Sequence, residues 1–283
     1  MRHALLALLL LAACSSGTTA LPDGGLFAPA CFVPRDGGVF LTGLPAPVPG
    51  CAAAPGATGV LDLATLGWAK QGGTLVVPLT TPGTPLPVVF GFHGAGGSGD
   101  EARTRLALEG PADGGAIFVY PNAIQGTWDV TPASQDGRRV DALLQLLSAS
   151  YCIDPERIYI AGFSAGAVFT LYLGCNVPDT FRALASVAGT EARFDTRCCT
   201  APISGVFVHG TQDEAIPLRE GRAARSHTLE RDGCSSSPEP DGPHCVGYAC
   251  PAPYAVDYCE WSGDHDVPDW AGAEITRFFS LVP

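Results

Sequence analysis

The sequence predicts an α/β fold with a mostly parallel central sheet and helices on both of its faces. Short β-rich runs alternate with helical stretches from about residue 57 onward. The run 86–92 is continuously apolar, which is typical of a strand covered on both faces. Strand–helix–strand order of this kind implies parallel strands joined by crossover helices, and no internal repeat interrupts it.

The elements follow one another along the chain. Residues 136–150 carry apolar side chains at helical spacing, and the β-rich runs are bounded by turn residues. Strands are expected at 74–79, 86–92, 116–120, 157–161, 183–188, 203–208 and 254–259. Helices are expected at 100–108, begun by an Asp100 cap, and at 136–150, 165–174 and 269–281.

The first residues predict export. A basic start precedes an apolar run, 4–13, which is about half of the roughly 20 residues that a membrane-spanning helix needs. The segment Leu11-Ala12-Ala13-Cys14 resembles the lipobox of bacterial lipoproteins, in which the cysteine receives the lipid. We therefore expect a signal peptide at 1–13 and a lipid on Cys14, in the bacterial cell envelope or outside the cell. The alternative is an ordinary signal peptide in which Cys14 has no role.

Composition divides the remaining chain into two parts. Residues 14–56 are rich in Pro, Gly, Ser, Thr and Ala and predict a tether, with Cys31 and Cys51 closing a small loop in it. Residues 57–283 are expected to form one catalytic domain. Eleven cysteines less Cys14 leave an even number, as a disulfide framework requires. A metal cluster is disfavoured, because no pair of CxxC units occurs at zinc spacing.

The charge balance limits the partners. With 28 acidic and 16 basic residues the formal net charge is −12, which argues against nucleic acid or an anionic membrane surface as a partner. A neutral or apolar substrate is expected, and membrane contact only through the lipid anchor. The sequence does not predict an oligomeric state.

Gly162-Phe163-Ser164-Ala165-Gly166 has the G-x-S-x-G pattern of a nucleophile elbow, between a predicted strand and a predicted helix. The small residues leave room for a sharp turn on which the serine is exposed. Ser164 is the predicted nucleophile. A glycine-rich turn with an idle serine is the alternative.

The loop 93–97, His-Gly-Ala-Gly-Gly, follows the strand 86–92. Backbone amides of Ala95, or of Ala95 with Gly94, and of Ala165 are the expected oxyanion donors. A phosphate-binding loop is disfavoured, because no Lys-Ser/Thr follows as in a P-loop, and dinucleotide binding would need G-x-G-x-x-G near the first strand. His93 is expected to be a hydrogen-bonded structural residue.

The general base and the acid follow from the order Ser, acid, His. His265 lies in the loop after the last predicted strand, where that order requires the histidine. Asp213 follows the strand 203–208 and is the preferred acid, with Glu214 as the second choice. A solvated histidine or carboxylate in a polar loop is the alternative for each.

Together these motifs resemble the secreted feruloyl esterase, acetylxylan esterase and polyhydroxybutyrate depolymerase group of α/β-hydrolases. The matching segments span 86–268 and include 93–97, 120–122, 152–159, 162–166, 209–213 and the His265 loop. One segment departs from the group, which usually has Trp-Pro after Gly-Gly-His. Here Asp266-Val267-Pro268 follows His265, so substrate contacts expected near Val267 do not carry over.

The resemblance implies a serine esterase that needs no metal or organic cofactor and acts on small or polymeric esters. It places Trp128 at the rim of the cleft, where an aromatic ring could stack on a ferulate ring or a sugar. Ordinary packing is the alternative for Trp128. A serine peptidase of related fold and a non-catalytic binding protein are the rival functions.

Chain order and the same resemblance guide the expected disulfides. These are Cys31–Cys51, Cys234–Cys245 and Cys250–Cys259, with Cys152 and Cys175 bonded to Cys198 and Cys199 in an unassigned order.

Overall fold

A computed structural model of the chain describes residues 57–68, 72–79, 83–109 and 115–282. The predicted signal peptide, the lipidation site Cys14, the tether and the Cys31–Cys51 pair lie outside these residues and stay predictions.

The described residues form a ten-stranded sheet. Its strands are β1 (Gly59–Asp62), β2 (Gly73–Val77), β3 (Leu86–Phe92), β4 (Ile117–Pro121), β5 (Ile153–Phe163), β6 (Ala183–Val187), β7 (Ser204–Gly210), β8 (Pro238–Asp241), β9 (Cys245–Tyr248) and β10 (Val256–Trp261). Their order across the sheet is β1-β2-β4-β3-β5-β6-β7-β10-β9-β8. The six central strands, β4-β3-β5-β6-β7-β10, pair in parallel. The strands outside them pair antiparallel.

Helices cover both faces of the sheet. They are α1 (Gly99–Leu106), α2 (Gln135–Ser150), α3 (Ala165–Asn176), α4 (Leu218–Asp232) and α5 (Ala271–Leu281). Because side chains alternate along a strand, Val88 and Phe90 join the core under α2, α3 and α4, while Val89 joins the core under α1 and α5. The predicted α/β architecture with two covered faces is therefore confirmed. None of the helices described is long and apolar enough to cross a membrane.

Most expected elements occur within a few residues of their predicted bounds, and the differences have local causes. Helix α1 is capped by Ser98, whose Oγ accepts from the Glu101 amide at 3.3 Å, so the predicted Asp100 cap is wrong. Strand β5 begins at Ile153 rather than at 157, because an irregular register lets Ile153 pair with Leu86. Strands β1, β8 and β9 were not predicted, since they are four residues long and lack an apolar run.

The disulfides near the carboxyl end differ from those expected. The structure has Cys245–Cys259 and Cys234–Cys250, so the predicted pairs Cys234–Cys245 and Cys250–Cys259 are wrong. Strands β9 and β10 are antiparallel with Val246 opposite Tyr258, which brings Cys245 opposite Cys259. The Ser235 amide donates to the Ala249 carbonyl at 2.7 Å and brings Cys234 beside Cys250.

Cys199, which follows Cys198 directly in the sequence, lies beside α3. Cys175 on α3 bonds to Cys199, one of the two partners expected for it. Cys152 is also disulfide-bonded.

A group of carboxyls surrounds Arg277 on α5. The Arg277 guanidinium contacts Glu274 at 2.8 Å, Asp241 at 2.9 Å and Asp257 at 3.3 Å. Asp257 is 5% exposed on β10. Burial first, and then the hydrogen bond and the charge of Asp241, raise the pKa of Asp257 to about 8. In the pair formed by Asp241 and Asp257, Asp257 therefore carries the proton.

We expect Asp257→Asn to flatten the pH dependence of folding stability. The pKa of Asp257 is above its ordinary value of 3.8, so the native state binds a proton that the unfolded chain releases between about pH 4 and 8. Stability therefore falls as pH rises through this window, by up to about 1.4 kcal/mol per pH unit. An amide keeps a donor toward Asp241 without titrating.

Urea unfolding at pH 5, 6.5 and 8 measures this slope. The matched control is Asp195→Asn, because Asp195 pairs with Arg197 at the surface and the pKa of Asp195 is lowered, below the window. A slope in Asp257→Asn equal to that of the control would contradict the prediction.

Candidate active site

Ser164 lies on a strained turn between β5 and α3. Its backbone has φ +54° and ψ −118°, a region that residues other than glycine rarely adopt. The Ser164 amide donates to the Val187 carbonyl of β6 at 3.0 Å, which fixes the turn against the sheet. The Ser164 side chain makes no capping bond to α3 and is free to face the cleft.

Gly162 and Gly166 make this turn possible. A Cβ on Gly162 would lie 2.2 Å from the Gly166 carbonyl oxygen, and a Cβ on Gly166 would lie 2.2 Å from the Phe92 carbonyl oxygen. Both distances are far shorter than any real Cβ contact. The glycines are therefore required by the close approach of α3 to β3 and β5, which is the reason expected from the sequence.

His265 lies in the loop between β10 and α5 and points at Ser164. Its Nε2 is 2.8 Å from the Ser164 Oγ, and its side chain is about a quarter exposed. Two backbone bonds tie the start of the loop to the end of β7: the Thr211 amide donates to the Trp261 carbonyl, and the Gln212 amide donates to the Gly263 carbonyl. The loop thus joins the histidine to the strand that carries the acid.

Asp213 meets the other side of the imidazole. Its Oδ2 accepts from His265 Nδ1 at 2.8 Å, and its Oδ1 accepts from the backbone amides of Ala215 and Ile216 at 2.9 and 2.8 Å. The carboxylate is fully buried. Glu214, the second choice from the sequence, is exposed to solvent.

The loop 93–97 lies directly against Ser164. A Cβ on Gly94 would be 3.5 Å from the Ser164 Cβ, so the glycine allows the loop backbone to approach the nucleophile. The Gly97 amide donates to the Gly94 carbonyl at 3.1 Å, and Gly96 has φ +76°, which makes a tight turn with Ala95 at its exposed corner. Ala165 is the first residue of α3, and an amide in that position has no partner within the helix.

His93 is a structural residue, as expected. It is 1% exposed, with Nδ1 donating to the Gly94 carbonyl at 2.7 Å and Nε2 accepting from the Ala123 amide at 3.0 Å. This pair of bonds needs a neutral imidazole. Burial lowers the pKa of His93, in agreement with it.

Trp128 does not lie at the rim of the cleft. It is 7% exposed, its ring stacks on Phe169 at 4.8 Å, and Phe92 packs against it edge-on at 5.0 Å. The indole N–H donates to the His93 carbonyl at 2.8 Å. The predicted stacking role toward substrate is therefore wrong, because the ring is used in the core. Trp128 instead holds the loop 93–97 in place through its hydrogen bond to the His93 carbonyl.

His209 is a neighbour of Asp213 that the sequence did not reveal. It is buried at the end of β7, with Nε2 donating to the Ile216 carbonyl at 2.8 Å and lying 3.4 Å from Asp213 Oδ2. It therefore holds the acid loop through Ile216 and lies beside the same Asp213 oxygen that His265 contacts. The two remaining described histidines are elsewhere: His227 bonds to Glu191, and His244 stacks on Trp270.

Metal-binding geometry is absent from this part of the chain. Across residues 57–282, leaving out the gaps in the description, no group of three or more His, Cys, Asp or Glu side chains is arranged to hold a metal ion. The aligned Ser164, His265 and Asp213 supply a nucleophile, a base and an orienting carboxylate beside backbone donors. That arrangement is suited to acyl transfer.

Sequence comparisons agree with this chemistry. The family described as phospholipase/carboxylesterase matches residues 134–233. A probable feruloyl esterase C of Aspergillus niger is 28% identical over 217 residues, which cover 70% of this chain and 75% of that protein. A feruloyl esterase C of Emericella nidulans is 28% identical over 222 residues, covering 71% of this chain and 76% of that protein.

Solved structures show the same fold. An acetyl xylan esterase from Aspergillus awamori superimposes with a TM-score of 0.60 at 16% identity, covering 78% of this chain and 99% of that one. A ferulic acid esterase from the anaerobic fungus Anaeromyces mucronatus has a TM-score of 0.53 at 17% identity, covering 82% and 92%. The α/β-hydrolase fold and the resemblance to the feruloyl and acetylxylan esterase group are confirmed.

Proposed function

We propose that this chain, a serine carboxylic ester hydrolase of the α/β-hydrolase fold, cleaves feruloyl or acetyl esters of plant polysaccharides through an acyl-enzyme on Ser164. The proposal rests on one observation: the hydrogen-bonded series from the Ser164 Oγ through His265 to Asp213, with 2.8 Å at each step. The named feruloyl and acetyl xylan esterases to which the chain is similar support the substrate class.

The first half of the reaction forms the acyl-enzyme. The Ser164 Oγ attacks the ester carbonyl carbon while His265 Nε2 takes its proton. The carbonyl oxygen becomes an oxyanion, for which the Ala95 and Ala165 amides are the proposed donors. When the carbon–oxygen ester bond breaks, the leaving alcohol receives the proton from His265 Nε2, and the acyl group stays on Ser164.

The second half reverses these roles for water. His265 Nε2 takes a proton from a water that attacks the acyl carbon, and the proton then returns to the Ser164 Oγ as the acid leaves. Throughout, Asp213 keeps the imidazole in the tautomer that leaves Nε2 free to accept. The carboxylate also stabilises the imidazolium that forms in each half.

We also propose export, since disulfides such as Cys175–Cys199 require an oxidising compartment, and a lipid on Cys14, since the segment 11–14 resembles a lipobox. The net negative charge of the chain suits a neutral ester better than an anionic one. A peptidase is the weaker alternative, and no feature of the described residues favours it over an esterase.

A substrate panel tests the proposed function. The purified chain is assayed with p-nitrophenyl acetate, methyl ferulate, acetylated xylan and short hydroxybutyrate oligomers, and with a peptide p-nitroanilide as the peptidase control. We expect turnover of p-nitrophenyl acetate and a kcat/KM for methyl ferulate or acetylated xylan at least ten-fold above that for the hydroxybutyrate oligomers. Hydrolysis of the oligomers alone would contradict the substrate class, and no hydrolysis of any ester would contradict the function.

A further inference from the structure

The two halves of the loop that carries His265 are held differently. The first half, 261–263, is bonded through its backbone to residues after β7. In the second half, the Asp266 amide donates to the Asp264 carbonyl and the Val267 amide donates to Asp266 Oδ1, and both bonds stay inside the loop. His265 makes its own hydrogen bonds to Ser164 and Asp213. Otherwise, within the described residues, one ion pair connects the segment 264–267 to the rest of the chain. It joins Asp266 Oδ1 to Arg105 Nη2 at 2.6 Å.

Arg105 belongs to α1, 161 positions away along the chain from Asp266. Its guanidinium lies 4.4 Å from the centre of the Phe163 ring, in a cation–π contact. Phe163 immediately precedes the nucleophile, and its ring is 5.1 Å from the His265 ring. Arg105 therefore contacts both the turn that carries the nucleophile and the loop that carries the base.

Helix α1 is a rigid support for this arginine. At its start, a Cβ on Gly99 would lie 2.0 Å from the Tyr120 carbonyl oxygen, so the helix is pressed against β4. At its end, a Cβ on Gly272 of α5 would lie 2.4 Å from the Ala107 carbonyl oxygen. Glu101, one turn before Arg105, contacts the guanidinium at 3.3 Å and limits its freedom.

We propose that Arg105 is a positioning residue for His265, and that its ion pair with Asp266 holds the second half of the loop so that Nε2 faces Ser164. The inference rests on the function proposed above and concerns the same site. Arg105 also neutralises Asp266, which adjoins the imidazole. The charged groups near His265 are Asp213 from the loop after β7, Asp264 and Asp266 on either side of it in its own loop, and, across Phe163, Arg105 from α1 with its partner Glu101.

The state of Asp266 fits this role. Partial burial acts to raise the pKa of Asp266, but the Val267 amide and the Arg105 guanidinium outweigh burial and hold that pKa below its ordinary value. Asp266 is therefore an anion at neutral pH. If Arg105 were removed, this anion would stabilise the imidazolium form of His265 without a neighbouring cation to oppose it.

The test compares Arg105→Ala, Arg105→Lys and Asp266→Asn by kcat and KM for p-nitrophenyl acetate between pH 5 and 9. We expect Arg105→Ala to lower kcat about ten-fold with KM changed less than two-fold, because a small displacement of the base affects chemistry more than binding. The acidic limb of its kcat/KM profile should move to higher pH. Asp266→Asn should move that limb to lower pH.

The Arg105→Lys variant separates the effect of the positive charge at this position from the effect of the size and shape of the guanidinium. Arg105→Lys restores the cation, so its acidic limb should return to the wild-type position. Its kcat should recover only in part, since an ammonium lacks the planar surface that stacks on Phe163. A role limited to folding would not shift the acidic limb in opposite directions in Arg105→Ala and Asp266→Asn.

Arg103→Ala is the matched control. Arg103 lies on the same helix, has nearly the same exposure (34% against 35%) and pairs with Glu109 at 2.7 Å, away from the His265 loop. Arg103→Ala loses one partly exposed ion pair and Arg105→Ala loses two, and each variant should lose only a small amount of thermal stability. Arg103→Ala should keep wild-type kcat and the wild-type pH profile.

A measurement without turnover keeps this inference separable from the proposed function. The proton on His265 Nδ1 should give a downfield NMR resonance that is absent in His265→Gln. We expect it to be broadened in Arg105→Ala and unchanged in Arg103→Ala. If the wild type hydrolyses no ester, the proposed function is wrong, and the resonance still decides on the positioning role. If Arg105→Ala matches Arg103→Ala in kcat, pH profile and resonance, the positioning role is wrong.

Discussion

Ser164→Ala is expected to lower kcat/KM for ester hydrolysis by about 10⁴- to 10⁶-fold. The Ser164 Oγ is the only atom removed, and its bond is the one to His265. The Ser164 side chain caps no helix, and alanine tolerates the positive φ about as well as serine does. The fold and the melting temperature should therefore change little. The activity that remains would come from the backbone donors and from substrate binding.

Labelling with a fluorophosphonate gives a second readout of the same variant. Wild-type protein should be labelled at Ser164, and the alanine variant should not be labelled. Ser148→Ala is the control, because the Ser148 hydroxyl lies on α2 and bonds only to the Gln145 carbonyl. If Ser164→Ala kept more than a tenth of wild-type activity, Ser164 would not be the nucleophile and the proposed mechanism would be wrong.

The parts of the site that the sequence predicts are those set by local constraints and chain order. Gly162 and Gly166 can be predicted because the elbow leaves no space for a Cβ at either position. This requirement is local, so a motif of five consecutive residues is enough to reveal it. His265 and Asp213 can be predicted because parallel strands place the loops at their carboxyl ends along one edge of the sheet. The order of those loops along the chain is then enough to choose among the histidines.

What the sequence does not reveal depends on contacts between distant elements. The Arg105–Asp266 ion pair joins a helix to a loop, Arg105 stands in no motif, and Asp266 stands where the chain departs from the pattern of the esterase group. The burial of Trp128 depends on Phe92 and Phe169, which come from a strand and a helix on either side of it in the sequence. Its side chain fills a space that only the assembled core defines.

The two wrong disulfides have the same origin. Pairing each cysteine with its neighbour in the chain assumes that loops close locally. The β8–β9 hairpin instead folds Cys245 onto Cys259 of β10, and the residues after it return Cys250 to the end of α4. Because neither strand has an apolar run, the hairpin gives no signal from which this register could be predicted.

Asp213→Asn is expected to lower kcat about 10⁴-fold while leaving the distances in the site nearly unchanged. Two amides, from Ala215 and Ile216, donate to Oδ1 of Asp213. In the variant the asparagine oxygen must stay on that side. Turning the amide over would place its NH₂ against these two donors and leave them unpaired in a buried position, at about 1–3 kcal/mol each.

With its oxygen held there, the asparagine presents its NH₂ to His265 Nδ1. The imidazole must then accept at Nδ1 and carry its proton on Nε2, the nitrogen that lies 2.8 Å from the Ser164 Oγ. A protonated Nε2 cannot take the serine proton. The loss of activity therefore comes from the wrong tautomer and from the missing negative charge, rather than from a displaced side chain.

Nitrogen NMR of the His265 ring separates this explanation from misfolding. We expect the proton on Nδ1 in the wild type and on Nε2 in Asp213→Asn, with similar melting temperatures for the two proteins. Glu214→Gln is the matched control, because the adjacent carboxylate is exposed and the same charge is removed. Glu214→Gln should keep the wild-type tautomer and kcat within about three-fold, since an exposed carboxylate is largely screened by solvent. If Glu214→Gln instead lost activity and Asp213→Asn did not, the acid would be Glu214, and only that assignment would change, because the positions of Ser164 and His265 do not depend on it.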